Sequence, residues 1–128
     1  MRFLLDTQVA IWALLDGPRL SREAREILDN PESRLHFSVC SIWEIAIKRG
    51  LNRPDFQHDP RLIQRTLLRY GCVELAIQST HAFEVESLPP IHKDPFDRIL
   101  IAQAMVEGVT LLTADPVIAQ YPGPIKRV

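Results

Sequence analysis

Short apolar runs and longer stretches of helical periodicity alternate along the chain, and that alternation predicts the architecture. Arg2-Phe3-Leu4-Leu5 begins as a short apolar strand and stops at Asp6. Val9, Ile11, Trp12, Leu14 and Leu15 then form a compact apolar helix, closed by Gly17-Pro18. Ser21 to Leu28 starts with a good N-cap and runs to Asp29-Asn30-Pro31 as a more solvated helix. Leu35 to Val39 is short and alternating, a strand that leads into a helix over Ser41 to Gly50. Leu51 to Gln57 reads as a loop. Asp59-Pro60 opens a further helix from Arg61 to Tyr70, ended by Gly71, with Leu62, Ile63, Leu67 and Leu68 on its apolar side. Val73-Glu74-Leu75 is a strand, Ser79-Thr80 caps a helix that runs through Glu86, and Leu88-Pro89-Pro90-Ile91 is a stiff connector.

The clearest unit runs from Asp94 to Asp115. Asp94 is an N-cap, Pro95 suits the first helical turn, and Phe96, Ile99, Leu100, Met105 and Val106 recur at helical spacing. Gly108 stops the helix as a left-handed cap. Val109 to Thr113 is a brief run of β-formers, as expected of a strand covered on both faces, and Asp115 follows at its carboxyl end. Pro116 to Gln120 makes a helical turn and Ile125 to Val128 a terminal edge strand. Strands alternating with helices in this way predict an α/β fold: one parallel sheet with helices on both faces.

At 128 residues, with no repeat and no linker-like break, the chain reads as a single domain over residues 1–128. Met1 to Leu5 is too short an apolar run for a signal peptide and no stretch is long enough to cross a bilayer, so a soluble, cytoplasmic protein is expected. Cys40 and Cys72 lack zinc-ligand spacing and read as small buried thiols. A formal charge of −1 excludes binding nucleic acid by bulk charge, though not through a local basic rim. Arg61, Arg65 and Arg69 form a basic ridge that reads first as a solvated helix face and second as an RNA-phosphate rail.

The candidate chemistry lies in the acids. Asp6 and Asp115 sit at strand ends, Asp97 in the first turn of a helix, and Glu44 on an early turn of another. Ser41 and Glu44 also have the spacing of a capping box, and Lys48 is placed to pair with Glu44 one turn away. If the strands that carry them are central neighbours, the four acids share one crevice. Each pair at about 4 Å would then repel by roughly 4 kcal/mol at an effective dielectric of 20. Such a cluster must take up protons or bind a cation. With neither histidine nor thiolate among them, oxygen ligands favour Mg²⁺ or Mn²⁺ over zinc. The matching chemistry is metal-dependent phosphodiester hydrolysis. No phosphate-cradling glycine loop, nucleophile elbow or paired phosphotransferase acid is present.

Four ordered segments carry a resemblance: Leu4-Leu5-Asp6-Thr7, Ser41 to Lys48, Asp94 to Ala104, and Leu111 to Asp115. Together they resemble the PIN-domain ribonucleases and, more narrowly, the VapC toxins of bacterial type II toxin–antitoxin modules. The resemblance implies a three-layer α/β/α sandwich around a parallel sheet of about five strands. It implies an acidic metal site of Asp6, Glu44, Asp97 and Asp115, with Asp6 and Asp97 as direct Mg²⁺ ligands and Mn²⁺ as a substitute. Thr7 and Thr113 would orient carboxylates or water beside it. Asp94 belongs to the subfamily's D-P-F-D form and reads as a helix cap rather than a ligand. Lys48, Lys93 and Arg98 are candidates for holding RNA phosphates, and each could equally pair with a site acid. Endoribonuclease action, homodimerisation and neutralisation by a small VapB-like antitoxin are implied as well. The alternatives are a DNA or flap-type metal nuclease, and a catalytically inactive PIN-like module that binds a partner protein.

Overall fold

A computed structural model describes residues 1–128. Five strands form one sheet in the order β3-β2-β1-β4-β5: β1 (Arg2–Leu5), β2 (Arg34–Ser38), β3 (Val73–Leu75), β4 (Thr110–Thr113) and β5 (Ile125–Arg127). Every neighbouring pair is parallel. The first strand of the chain is therefore the middle of the sheet, flanked by β2 and β4, with Leu4 opposite His36 on one side and Leu111 on the other. Parallel pairing puts the carboxyl ends of the three central strands along one edge, which is where an open α/β sheet binds ligands.

Six helices cover the two faces: α1 (Thr7–Leu15), α2 (Arg22–Asp29), α3 (Val39–Gly50), α4 (Pro60–Arg69), α5 (Ser79–Val85) and α6 (Pro95–Glu107). The period-2 geometry of β1 sorts its side chains between two cores. Phe3 and Leu5 join Phe37, Leu112, Val9, Ile45 and Ile63 on one side. Leu4 joins Leu111, Leu100, Ile101 and Ile118 on the other. Each fully buried Leu or Ile contributes about 2 kcal/mol of transfer free energy, and the alternation of Leu4 with Leu5 fixes the register of the central strand.

Residues Leu100 to Ala104 of α6 are all buried, which a helix with a single apolar face cannot achieve. The helix is enclosed between the sheet and α5, and its one polar residue in that run, Gln103, is satisfied there. Its Oε1 accepts from the Ser38 hydroxyl at 2.6 Å and its Nε2 donates to the Ala76 carbonyl at 3.3 Å. Gly108 closes the helix at φ 66°, a left-handed conformation that favours glycine.

Two helix starts differ from the sequence-based expectation. The helix after β2 is capped by Ser38, whose hydroxyl accepts from the Cys40 N–H at 2.9 Å, so α3 begins before Ser41 rather than at it. Ser41 lies inside the helix and is buried, and the S-x-x-E spacing is no capping box. The helix α5 is preceded by Gln78, whose backbone N–H donates to His81 Nδ1 at 3.0 Å, so a buried imidazole does the work expected of Ser79-Thr80. Of the apolar residues expected on the buried side of α4, Ile63 and Leu67 are buried, while Leu62 and Leu68 are exposed. No helix is long and apolar enough to cross a membrane.

Candidate metal centre

Asp6 ends β1 and caps α1. Its Oδ1 accepts from the Gln8 N–H at 2.7 Å and its Oδ2 from the Thr113 hydroxyl at 2.6 Å. Thr113 Oγ1 in turn accepts from the Asp115 N–H at 3.0 Å, which leaves its only proton committed to Asp6. The ends of the adjacent strands β1 and β4 are thus tied through one hydroxyl. Asp115 is held by the Val117 N–H on Oδ1 at 2.8 Å. Beside them, the Thr7 hydroxyl donates to Ser41 Oγ at 2.7 Å and joins α1 to α3. Both threonines expected beside the acids are therefore there, Thr113 bound directly to Asp6 and Thr7 through α3.

The early start of α3 puts Cys40, Ser41, Glu44 and Ile45 on its inward face and carries Glu44 to the same edge. Glu44 retains only 5% exposure. Its Oε2 accepts from Lys48 Nζ at 2.7 Å, but Oε1 is buried with no hydrogen-bond partner. Asp97 enters from the first turn of α6, and Asp94 caps that helix, accepting the Phe96 N–H at 2.9 Å. Asp94, expected as a cap, is one; it also lines the cleft. That cleft, of about 300 Å³, is walled by Asp6, Glu44, Asp94, Asp97, Asp115 and Lys48, with Trp12 and Phe56 among its apolar lining.

Crowding and desolvation shape the ionisation of these acids. Burial pushes the Asp97 carboxyl up to about 8, and the charges of Asp94, Asp6, Glu44 and Asp115 push in the same direction. Burial raises Asp6 as well; the bonds from Thr113 and Gln8 oppose that rise, and Glu44 and Asp115 add to it. Cys40, just behind the cluster, is raised to about 12, first by burial and then by Glu44, Asp97 and Asp94, so its thiol stays protonated.

Two expectations need correction. The cluster is not free of histidine: His92 Nε2 lies 2.9 Å from Asp97 Oδ2 and 3.6 Å from Asp115 Oδ2. The local signal was its place two residues before a capping aspartate, where the ring accepts the Asp94 N–H on Nδ1 at 3.1 Å. Arg98 is not turned toward a phosphate. Its guanidinium donates to the carbonyls of Val85 (3.1 Å), Leu88 (3.5 Å), Pro89 (3.0 Å) and His92 (3.4 Å) and to the Tyr121 hydroxyl (3.1 Å). The connector Leu88 to Ile91 holds two prolines, which supply carbonyls without matching N–H groups, and Arg98 fills the deficit. Lys93 is exposed near the cleft, and Lys48 pairs with Glu44.

The residues fit a hard divalent cation. Five carboxylates face one ammonium in the cleft lining, and a buried carboxylate oxygen without a partner is an expensive arrangement unless a cation meets it. Asp6, Glu44, Asp97 and Asp115 supply oxygen donors suited to Mg²⁺ or Mn²⁺.

Comparison with known proteins agrees with this fold. A family profile described as PIN domain matches residues 3–124. Among solved structures, VapBC2 from Rickettsia felis, bound to a DNA fragment from its promoter, shares the fold with a TM-score of 0.75 at 15% identity, over 100% of this chain and 99% of that one. VapBC-1 from nontypeable Haemophilus influenzae superposes with a TM-score of 0.64 at 17% identity, over 99% and 98%. A toxin–antitoxin complex from Klebsiella pneumoniae gives 0.62 at 20% identity, over 98% of each chain. No protein of curated function matches the chain by sequence.

Proposed function

The chain belongs to the PIN domain family, and from that premise we propose that it is a metal-dependent endoribonuclease of the VapC toxin type, acting in the cytoplasm on RNA and silenced by a small VapB-like antitoxin. PIN domains are generally nucleases, and the three solved structures named above are VapBC or toxin–antitoxin complexes. The observation that carries the catalytic part is the partnerless, buried Oε1 of Glu44 in a cleft shared with Asp6, Asp97 and Asp115.

In this reading Asp6 and Asp97 hold Mg²⁺ directly, Glu44 and Asp115 complete the acidic pocket, and Mn²⁺ is the natural substitute. The ion, when bound, activates water and stabilises charge on the scissile phosphodiester. The chain's own groups set the geometry. Thr113, locked by the Asp115 N–H, holds one oxygen of Asp6, and the Gln8 N–H holds the other. Thr7 anchors the start of α1 to Ser41 on the helix that carries Glu44. In the same reading Lys48, on the cleft wall, and the exposed Lys93 are the candidates for meeting RNA phosphates. Homodimerisation belongs to the same reading.

The test is cleavage of structured RNA, tRNA included, by purified protein with Mg²⁺, with EDTA, and with an Asp97→Asn variant shown to be folded, alongside single-stranded and flap DNA. Cleavage of RNA that needs both Mg²⁺ and Asp97 is expected. RNA left intact, or cut equally without metal and by the variant, refutes the mechanism. Cutting confined to DNA moves the flap-type reading ahead.

A further inference from the structure

We infer that His92 is a positioning residue for the metal pocket, an N–H donor of fixed tautomer that holds the Asp97 carboxylate from behind rather than a ligand to the ion. The inference rests on the metal-site reading above and assigns a task to a residue outside the acidic set.

By distance alone, His92, Asp97 and Asp115 look like a three-ligand site, since their nearest atoms all lie within 4.8 Å of one another. The hydrogen bonding argues otherwise. The Asp94 N–H donates to His92 Nδ1, and a backbone N–H can only donate, so Nδ1 carries a lone pair and no proton. A neutral ring then keeps its proton on Nε2, the atom 2.9 Å from Asp97 Oδ2. A histidine that binds an ion through Nε2 needs the opposite tautomer, with Nδ1–H donated to an acceptor. No acceptor faces Nδ1 here. His92 also lies outside the lining of the cleft, whereas Asp97 and Asp115 face into it.

The rest of the surroundings hold the main chain that carries the imidazole. The His92 backbone N–H donates to the Tyr121 hydroxyl at 2.7 Å, and Arg98 donates to the same hydroxyl and to the His92 carbonyl. Arg98 follows Asp97 in sequence, so one turn of α6 presents the carboxylate to the cleft and, about 100° around the helix, the guanidinium that fixes that carboxylate's donor. Oxygen Oδ2 of Asp97 is thereby engaged by a residue outside the cleft lining, while the carboxylate itself faces the cleft. Hydrogen-bonded support of a ligating carboxylate is worth about 10- to 100-fold in metal affinity.

Two measurements on the full chain test this, neither of them RNA cleavage. The first is ¹⁵N NMR of the imidazoles, with His92 assigned by its loss in His92→Gln. The Nε2–H tautomer is expected in the metal-free protein and again with saturating Mg²⁺; transfer of the proton to Nδ1 on adding Mg²⁺ makes His92 a ligand and overturns the inference. The second is Mg²⁺ affinity by calorimetry. His92→Ala is expected to weaken binding about tenfold, and His92→Gln, which returns an N–H near the Nε2 position, to recover most of it. Tyr121→Phe, which removes only the hydroxyl, is expected to weaken binding severalfold with the fold intact. Equal affinity in wild type and His92→Ala overturns the inference while leaving the nuclease reading in place. Failure of the wild type to bind Mg²⁺ overturns both.

Discussion

Replacing Asp97 by asparagine is expected to stabilise the metal-free protein while removing its response to Mg²⁺. The carboxyl of Asp97 is raised from 3.8 to about 8 in the folded state, first by burial and then by four neighbouring acids. Between these two values the folded chain retains a proton that the unfolded chain has released. The native state therefore binds more protons than the unfolded one, and stability falls as pH rises through that window. At pH 7 about three units of the window have been crossed, which at about 1.4 kcal/mol per unit gives about 4 kcal/mol. The side chain keeps 16% exposure, and solvent screening at the cleft brings the figure down to about 2 kcal/mol. Asparagine keeps the shape and an oxygen for His92 but sheds the charge, so its melting temperature in EDTA at pH 7 is expected to exceed that of wild type by about 8 °C. The gap between the two proteins narrows toward pH 4, where the unfolded wild-type carboxyl begins to take up its own proton. Saturating Mg²⁺ raises the wild type by mass action and leaves the variant unmoved. Calorimetric melts from pH 4 to 8, with EDTA and with Mg²⁺, measure all three. A variant no more stable than wild type at pH 7, or a wild-type profile flat across the window, refutes the account of a buried, crowded carboxyl in the pocket.

Mg²⁺ binding below pH 8 is expected to expel the Asp97 proton, so apparent affinity rises by up to about tenfold per pH unit between pH 6 and 8. Calorimetry in buffers of different ionisation enthalpy reads the released proton directly. Arg98→Ala strands the carbonyls of Val85, Pro89 and His92, and the expected loss is about 3 kcal/mol, seen as a lower urea midpoint at unchanged slope. Gly108→Ala forces a side chain into φ 66°, where nothing crowds the new methyl, so backbone strain alone is expected to cost about 1 kcal/mol in the same assay.

The fold was legible because α/β alternation is a one-dimensional signal. The central strands were short and mostly apolar, Asp6, Asp97 and Asp115 stood at or beside element boundaries, and β1 needed only its neighbours on either side to bring Asp6 and Asp115 together. Boundaries were harder where two residues competed for one task. Ser38 and Ser41 both precede α3 by sequence criteria, and Ser38 prevails because β2 stays paired with β3 only as far as Ser38 opposite Leu75. The roles of His92 and Arg98 were illegible for a different reason. Both depend on partners fixed by tertiary structure: the Tyr121 hydroxyl for one, and a row of carbonyls in a proline connector for the other. Beside an acidic motif, an arginine reads as a phosphate binder until the groups it must satisfy are seen.

The bond from Thr113 to Asp6 joins residues 107 positions apart. β1 leaves the ribosome about a hundred residues ahead of its neighbour β4, and the pocket has neither Asp115 nor a supported Asp6 until β4 is made. A nascent or prematurely terminated chain that ends before Thr113 therefore lacks the cleft altogether, however well its first helices have formed. The acidic pocket is thus an all-or-none feature of the chain: it exists only once β4 has taken its place beside β1.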